Sequence, residues 1–190
     1  MMVINRLLIL AFVSALLALF SGCATRPAHP PLPELAILPA IEARTQRLTF
    51  THREERHRLL GVLRHDERTL QLALLSPQGQ RLMTLVVDED GARFRQEDSF
   101  DPPFTAEWLA SRLAWNLWPA HALDQAFSDS DWKLWNSAAG RIIEYRGRPV
   151  VRITGSDLCR IIDDIEGGYR LYIAPLGDDT DRTEAACPTD

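Results

Sequence analysis

The sequence predicts an α+β domain, most of it one antiparallel sheet with helices packed on one face or at one end. Two observations lead there. Short strand-like segments separated by tight turns occupy both ends of the folded region, and a helical stretch lies between them. Strands joined by such short turns pair antiparallel, because a parallel pair needs a long crossover.

The first strands are predicted over residues 47–52, 56–64, 69–76, 81–88 and 92–97. Leu70, Leu72 and Leu74 alternate with Gln71 and Ala73, the period of a half-buried strand. Pro77-Gln78-Gly79-Gln80 and Glu89-Asp90-Gly91 supply the turns. Two segments are apolar on both faces: Leu59, Leu60, Val62 and Leu63, then Met83, Leu85, Val86 and Val87. One face would serve a core; the other serves a ligand surface or a second sheet.

Asp101-Pro102-Pro103 breaks the strand pattern. Thr105 is placed as an N-cap with Glu107 in the first turn, and Pro119 stops the helix near Trp118. A second helix is predicted over 120–127, and 132–137 is ambiguous. Strands return over 140–145 and 149–154 around Arg146-Gly147-Arg148, and over 159–165 and 169–174 around Glu166-Gly167-Gly168.

The first helix carries two apolar edges. Leu109, Leu113 and Leu117 make the stripe that docks a helix on a sheet. Trp108 and Trp115 make a second edge, with Trp118 beyond them and Arg112 and Asn116 between the two. All five tryptophans lie between Trp108 and Trp135. Two readings follow. The helix is a lid over an apolar cavity, with Trp108, Trp115, Trp118, Trp132 and Trp135 as candidate ligand-lining residues. Alternatively it is buried on both sides, with Trp132 and Trp135 filling the second contact.

Residues 1–22 read as a secretory signal: one early positive charge, an apolar run too short to span a membrane comfortably, then small residues. Leu19-Phe20-Ser21-Gly22-Cys23 resembles the lipobox of bacterial lipoproteins, with Phe20 where Leu is usual. The resemblance implies lipidation of Cys23, and Ala24 after it implies sorting to the outer membrane. Residues 23–40, with Pro27, Pro30, Pro31, Pro33 and Pro39, read as an extended lipid-anchored tether. The domain then covers 41–176, and 177–190 is an acidic tail. In an oxidising compartment Cys159 and Cys187 are available to pair and staple that tail; whether they meet is left open by the sequence.

Composition narrows the function. The net charge is −5, no basic block occurs and Lys133 is the sole lysine, which argues against nucleic-acid binding. No second long apolar segment marks a polytopic membrane protein. His52, His57 and His65 fit no metal-ligand spacing and read as exposed strand-end residues. Asp163, Asp164 and Glu166 read as a solvated turn. No nucleophile elbow, P-loop or dinucleotide fingerprint is present, so neither an enzyme, a cofactor nor a metal is expected.

The runs Leu48-Thr49-Phe50, His57-Arg58-Leu59-Leu60-Gly61-Val62-Leu63, Leu72 to Arg81, and Gly168-Tyr169-Arg170-Leu171-Tyr172-Ile173 resemble a domain family of unknown function. That family occurs in short proteobacterial outer-membrane lipoproteins, often encoded with aryl polyene pigment genes. It is similar in turn to the lipoprotein carriers LolA and LolB. The resemblance implies a strongly curved, half-open antiparallel sheet with a helical lid and a cavity for an apolar or lipid-linked ligand. It also implies an envelope transport or assembly role at the periplasmic face of the outer membrane. The competing expectation is a non-carrier assembly lipoprotein that uses its tryptophan-rich surface to bind other envelope proteins.

Overall fold

A computed structural model describes residues 29–96, 102, 104–176 and 187. The signal segment, Cys23, the first part of the tether, residues 97–101, Pro103 and the tail other than Cys187 lie outside the described residues.

The first five strands are β1 (Ile41–His52), β2 (Glu55–His65), β3 (Leu70–Leu75), β4 (Arg81–Asp88) and β5 (Gly91–Gln96). Two helices follow, α1 (Ala106–Leu117) and α2 (Ala120–Phe127). The chain then returns through β6 (Trp132–Ser137), β7 (Gly140–Tyr145), β8 (Arg148–Gly155), β9 (Arg160–Asp164) and β10 (Tyr169–Pro175). Thr105 caps α1 as its sequence position predicts, its Oγ1 accepting from the Trp108 N–H at 3.2 Å.

All ten strands join one antiparallel sheet in the order β5-β4-β3-β2-β1-β10-β9-β8-β7-β6. Two meanders are thus fused where β1 pairs β10, with Leu48 opposite Ile173. β5 and β6 remain as separate edges, so the sheet is open, and the helices connect them.

The contacts of α1 require the sheet to curl. Trp118 lies edge-on to His65 of β2, and Trp115 packs on Trp132 of β6. Arg141 of β7 donates to the carbonyls of Trp115 and Trp118 at 2.8 and 2.7 Å. In a flat sheet β2 and β6 would stand about 29 Å apart, at about 4.8 Å per strand. A helix about 10 Å across reaches both only if the strands wrap round it.

One face of each strand supplies the core. Leu63, Leu70, Leu72, Met83 and Leu85 from the first meander pack in one cluster with Ile143, Val151, Ile153 and Ile162 from the second, and with Trp115 and Leu123 from the helices. Gly61 faces this core: a Cβ there would lie 2.9 Å from Leu48 Cδ1 and 3.3 Å from Leu72 Cδ1, so the glycine makes room for both leucines.

Cys159 and Cys187 form a disulfide, with Cα atoms 5.2 Å apart. With Tyr172, Ala174 and Ile161 they build a small second cluster. Tyr172 and Ala174 alternate with Leu171 and Ile173 of the main core, which places this cluster on the outer face of the sheet. Replacing Cys187 by serine is expected to lower unfolding stability by about 2–4 kcal/mol, read as a lower urea midpoint with a steeper slope, because the uncross-linked denatured chain exposes more surface.

Candidate functional site

The tether is not extended throughout. Before β1 it makes a 3-10 turn, Leu35–Ile37, and buries Leu38 in the core. Three polar contacts strap it down. The Trp118 indole Nε1 donates to the Glu34 carbonyl at 3.0 Å. The His65 ring lies between two further carbonyls, with Nε2 3.1 Å from Leu35 O and Nδ1 3.3 Å from Pro39 O. His65 is therefore buried at the strap, which corrects its sequence reading as an exposed strand end.

Between this strap and α1 opens a cleft of about 920 Å³. Leu32, Leu35, Leu70, Val87, Leu113 and Trp118 make its apolar wall. Its rim comes from the β2–β3 and β4–β5 turns and carries Glu67, Asp88, Glu89 and Asp90 against Arg68. The rim is ordered locally. Asp66 accepts from the N–H groups of Arg68 and Thr69 at 2.9 and 2.8 Å. Those bonds hold its carboxyl below the ordinary value of 3.8, so the turn keeps its caps until the solution is more acidic than that. Arg93 grips Asp88 with both of its terminal nitrogens, which likewise lowers that carboxyl.

The other polar assembly lies inside the domain. Arg112 is buried on α1, and its Nε donates to Asp164 Oδ2 of β9 at 2.6 Å. Its Nη1 donates to Ser111 Oγ at 2.9 Å, and Ser111 in turn donates to the Trp108 carbonyl at 2.7 Å. Asp164 Oδ1 accepts the Gly167 N–H at 2.7 Å. The guanidinium carbon lies 4.4 Å from the Trp108 ring centre and 4.7 Å from that of Trp115. A planar, weakly hydrated cation suits that position between two indoles better than an ammonium. Burial pushes the Arg112 pKa down, and Asp164 opposes the shift. Asp164 is thus not the solvated turn carboxylate that its sequence neighbourhood suggests: of the three only Glu166 keeps that exposure, and Asp163 is half-buried and paired with Arg170.

The five tryptophans disperse. Trp118 lines the large cleft. Trp115 is fully buried in the core, its ring tilted against Trp132, which also packs on Phe127 and Tyr145. Trp108 is half-buried over Arg112 and stacks on Phe104. Trp132 and Trp135 border a smaller groove of about 280 Å³ between α2 and β6, and Trp135 is 58% exposed. On α1 the tryptophan edge is buried at least as deeply as the leucine stripe: Leu109 is buried, whereas Leu113 and Leu117 are half-buried. The strap residues Leu32 and Leu35 line the cleft although the sequence predicts an extended tether there; their apolar spacing among the prolines is the available signal.

Among the described residues, no group of three or more His, Cys, Asp or Glu side chains is placed to hold a metal ion, and no helix is long and apolar enough to cross a membrane.

Fold and cleft together define the class: a small α+β domain whose open ten-stranded antiparallel sheet wraps a two-helix connection. The chain belongs to the family described as protein of unknown function (DUF3261), which matches residues 43–177. No curated protein matches the chain.

Proposed function

We propose that this protein is an outer-membrane lipoprotein, anchored through Cys23 at the periplasmic face, that binds an apolar or lipid-linked ligand beside α1. The cleft carries this reading. Its volume falls within the range of about 300–1,000 Å³ common to small-molecule sites, and its walls are leucine, valine and tryptophan. Burial of apolar surface is the driving force, and binding rather than turnover is the task. The strap that lines the cleft continues back toward Cys23, so an acyl anchor and a cargo site lie on one short segment. An open, helix-covered sheet of this kind suits a LolA- or LolB-like carrier, with an envelope lipid or an aryl polyene as cargo.

The test is native mass spectrometry of the chain from residue 24 onward, purified without detergent and then incubated with an envelope lipid extract. A discrete extractable mass is expected in the wild-type chain. Leu113→Asp places a charge on the half-buried cleft wall and is expected to reduce the bound fraction more than tenfold while the melting transition stays cooperative. A chain that stays free of any ligand after incubation overturns the proposal.

One observation favours a second reading. Trp135 is more than half exposed and pairs with half-buried Ile142 on the sheet face opposite the core. Such a residue anchors protein interfaces. Under this reading the protein is an assembly module that binds another envelope protein. Trp135→Ala then abolishes capture of a stoichiometric partner and leaves lipid content unchanged.

A further inference from the structure

The outer face of the first meander separates charge in a way the whole chain does not. Leu63, Leu72, Leu85 and Phe94 point to the core, so their neighbours point away from it. The outward rows read Arg47–Leu60–Leu75, then Thr45–Val62–Ala73–Thr84–Arg95, then Arg64–Gln71–Val86–Arg93. Arg58 lies beyond them opposite Thr49, on the same face. Arg58, Arg64, Arg93 and Arg95 are exposed, Leu60, Val62, Ala73 and Leu75 are half-buried between the arginines, and Val86 in the last row is fully buried. Asp88 on that face is held by Arg93, and exposed Glu42 lies in the β1 bulge between the pairs Ile41–His65 and Arg44–Leu63, beside Arg64. A chain of net charge −5 thus carries a basic face with an apolar centre.

We propose that this face rests on an anionic phospholipid surface. The arginine forks match phosphate oxygens bidentately, and their aliphatic stems lie along the apolar strip while the heads reach the headgroups. Each basic side chain near such a surface adds attraction that decays within a Debye length. The contact supplements the anchor of the proposed lipoprotein by orienting the domain on the membrane. It uses the face of the sheet opposite the core, so it does not depend on what the cleft binds.

The experiment is co-sedimentation of the chain from residue 24 onward, which keeps every residue of the core, with phosphatidylglycerol–phosphatidylcholine vesicles and with phosphatidylcholine vesicles alone. Binding to the anionic vesicles is expected to be at least tenfold tighter and to weaken in 0.5 M salt. The triple variant R58E/R64E/R95E is expected to lose that preference, and R58K/R64K/R95K to keep most of it with the same melting temperature. Equal binding to both vesicles, or a charge-reversed chain that binds as tightly as wild type, overturns the proposal. So does anionic binding that emerges only after Asp178, Asp179, Asp181 and Glu184 are neutralised, because the acidic tail is then the occupant of the face. Failure here leaves the cleft readout untouched, since mass spectrometry reports cargo without vesicles.

Discussion

Trp115→Ala is expected to lower unfolding stability by about 3–5 kcal/mol, measured as a drop in the urea midpoint at constant slope. The indole is fully buried, it packs on Trp132, and it forms one wall of the Arg112 site. Its removal therefore combines lost apolar burial, a large cavity and a lost cation–π contact. Trp108→Ala is the internal comparison. Trp108 is half-buried at the domain edge, so its loss is expected to cost less than about 2 kcal/mol. A lid helix resting loosely on the sheet predicts the opposite pattern, with Trp115 nearly neutral in stability. Equal small losses at both positions would therefore overturn the placement of α1 in the core.

Asp164→Ala is expected to cost about 3–5 kcal/mol, because it strands the buried guanidinium of Arg112. Glu166 does not replace the lost partner: its carboxylate stands 3.8 Å from Arg112 Nη2 and is itself partly exposed. The Gly167 N–H also loses its acceptor in the β9–β10 turn. Arg112→Met combined with Asp164→Leu is expected to recover most of the loss, since a packed apolar pair avoids desolvating two charges. A double-mutant cycle in urea separates the pair from its surroundings. Strict additivity of the two single substitutions would show that the ion pair does not couple α1 to β9.

Much of the fold was legible along the chain. The strands at 81–88 and 140–145 and the helix at 120–127 carry the predicted bounds, because turn residues and side-chain period are local signals. Thr105 caps α1 for the same reason. β1 begins at Ile41, six residues before its predicted start. The segment Ile41-Glu42-Ala43-Arg44-Thr45-Gln46 lacks alternation, and pairing with β2 and β10 makes it a strand. Residues 132–137 were ambiguous alone; opposite β7 they are β6, with Trp132 facing Tyr145. The site was less legible. Asp164 looked like a turn carboxylate, and His65 looked like a strand end, because the partners that bury them lie 52 and up to 30 residues away in sequence.

Apart from β6, the sequence by itself determined the order of strands and helices, the antiparallel pairing within each meander and the apolar faces of the segments. Those properties depend on residues within one turn of helix or one hairpin. Only the tertiary structure decided that β1 and β10 fuse the meanders and that the sheet curls round α1. It also decided that the tryptophans divide between core, cleft wall and surface. These outcomes rest on packing between segments far apart in the chain. An apolar residue has the same identity whether it faces a core or a cleft, so only the neighbours that the fold brings to it assign the role.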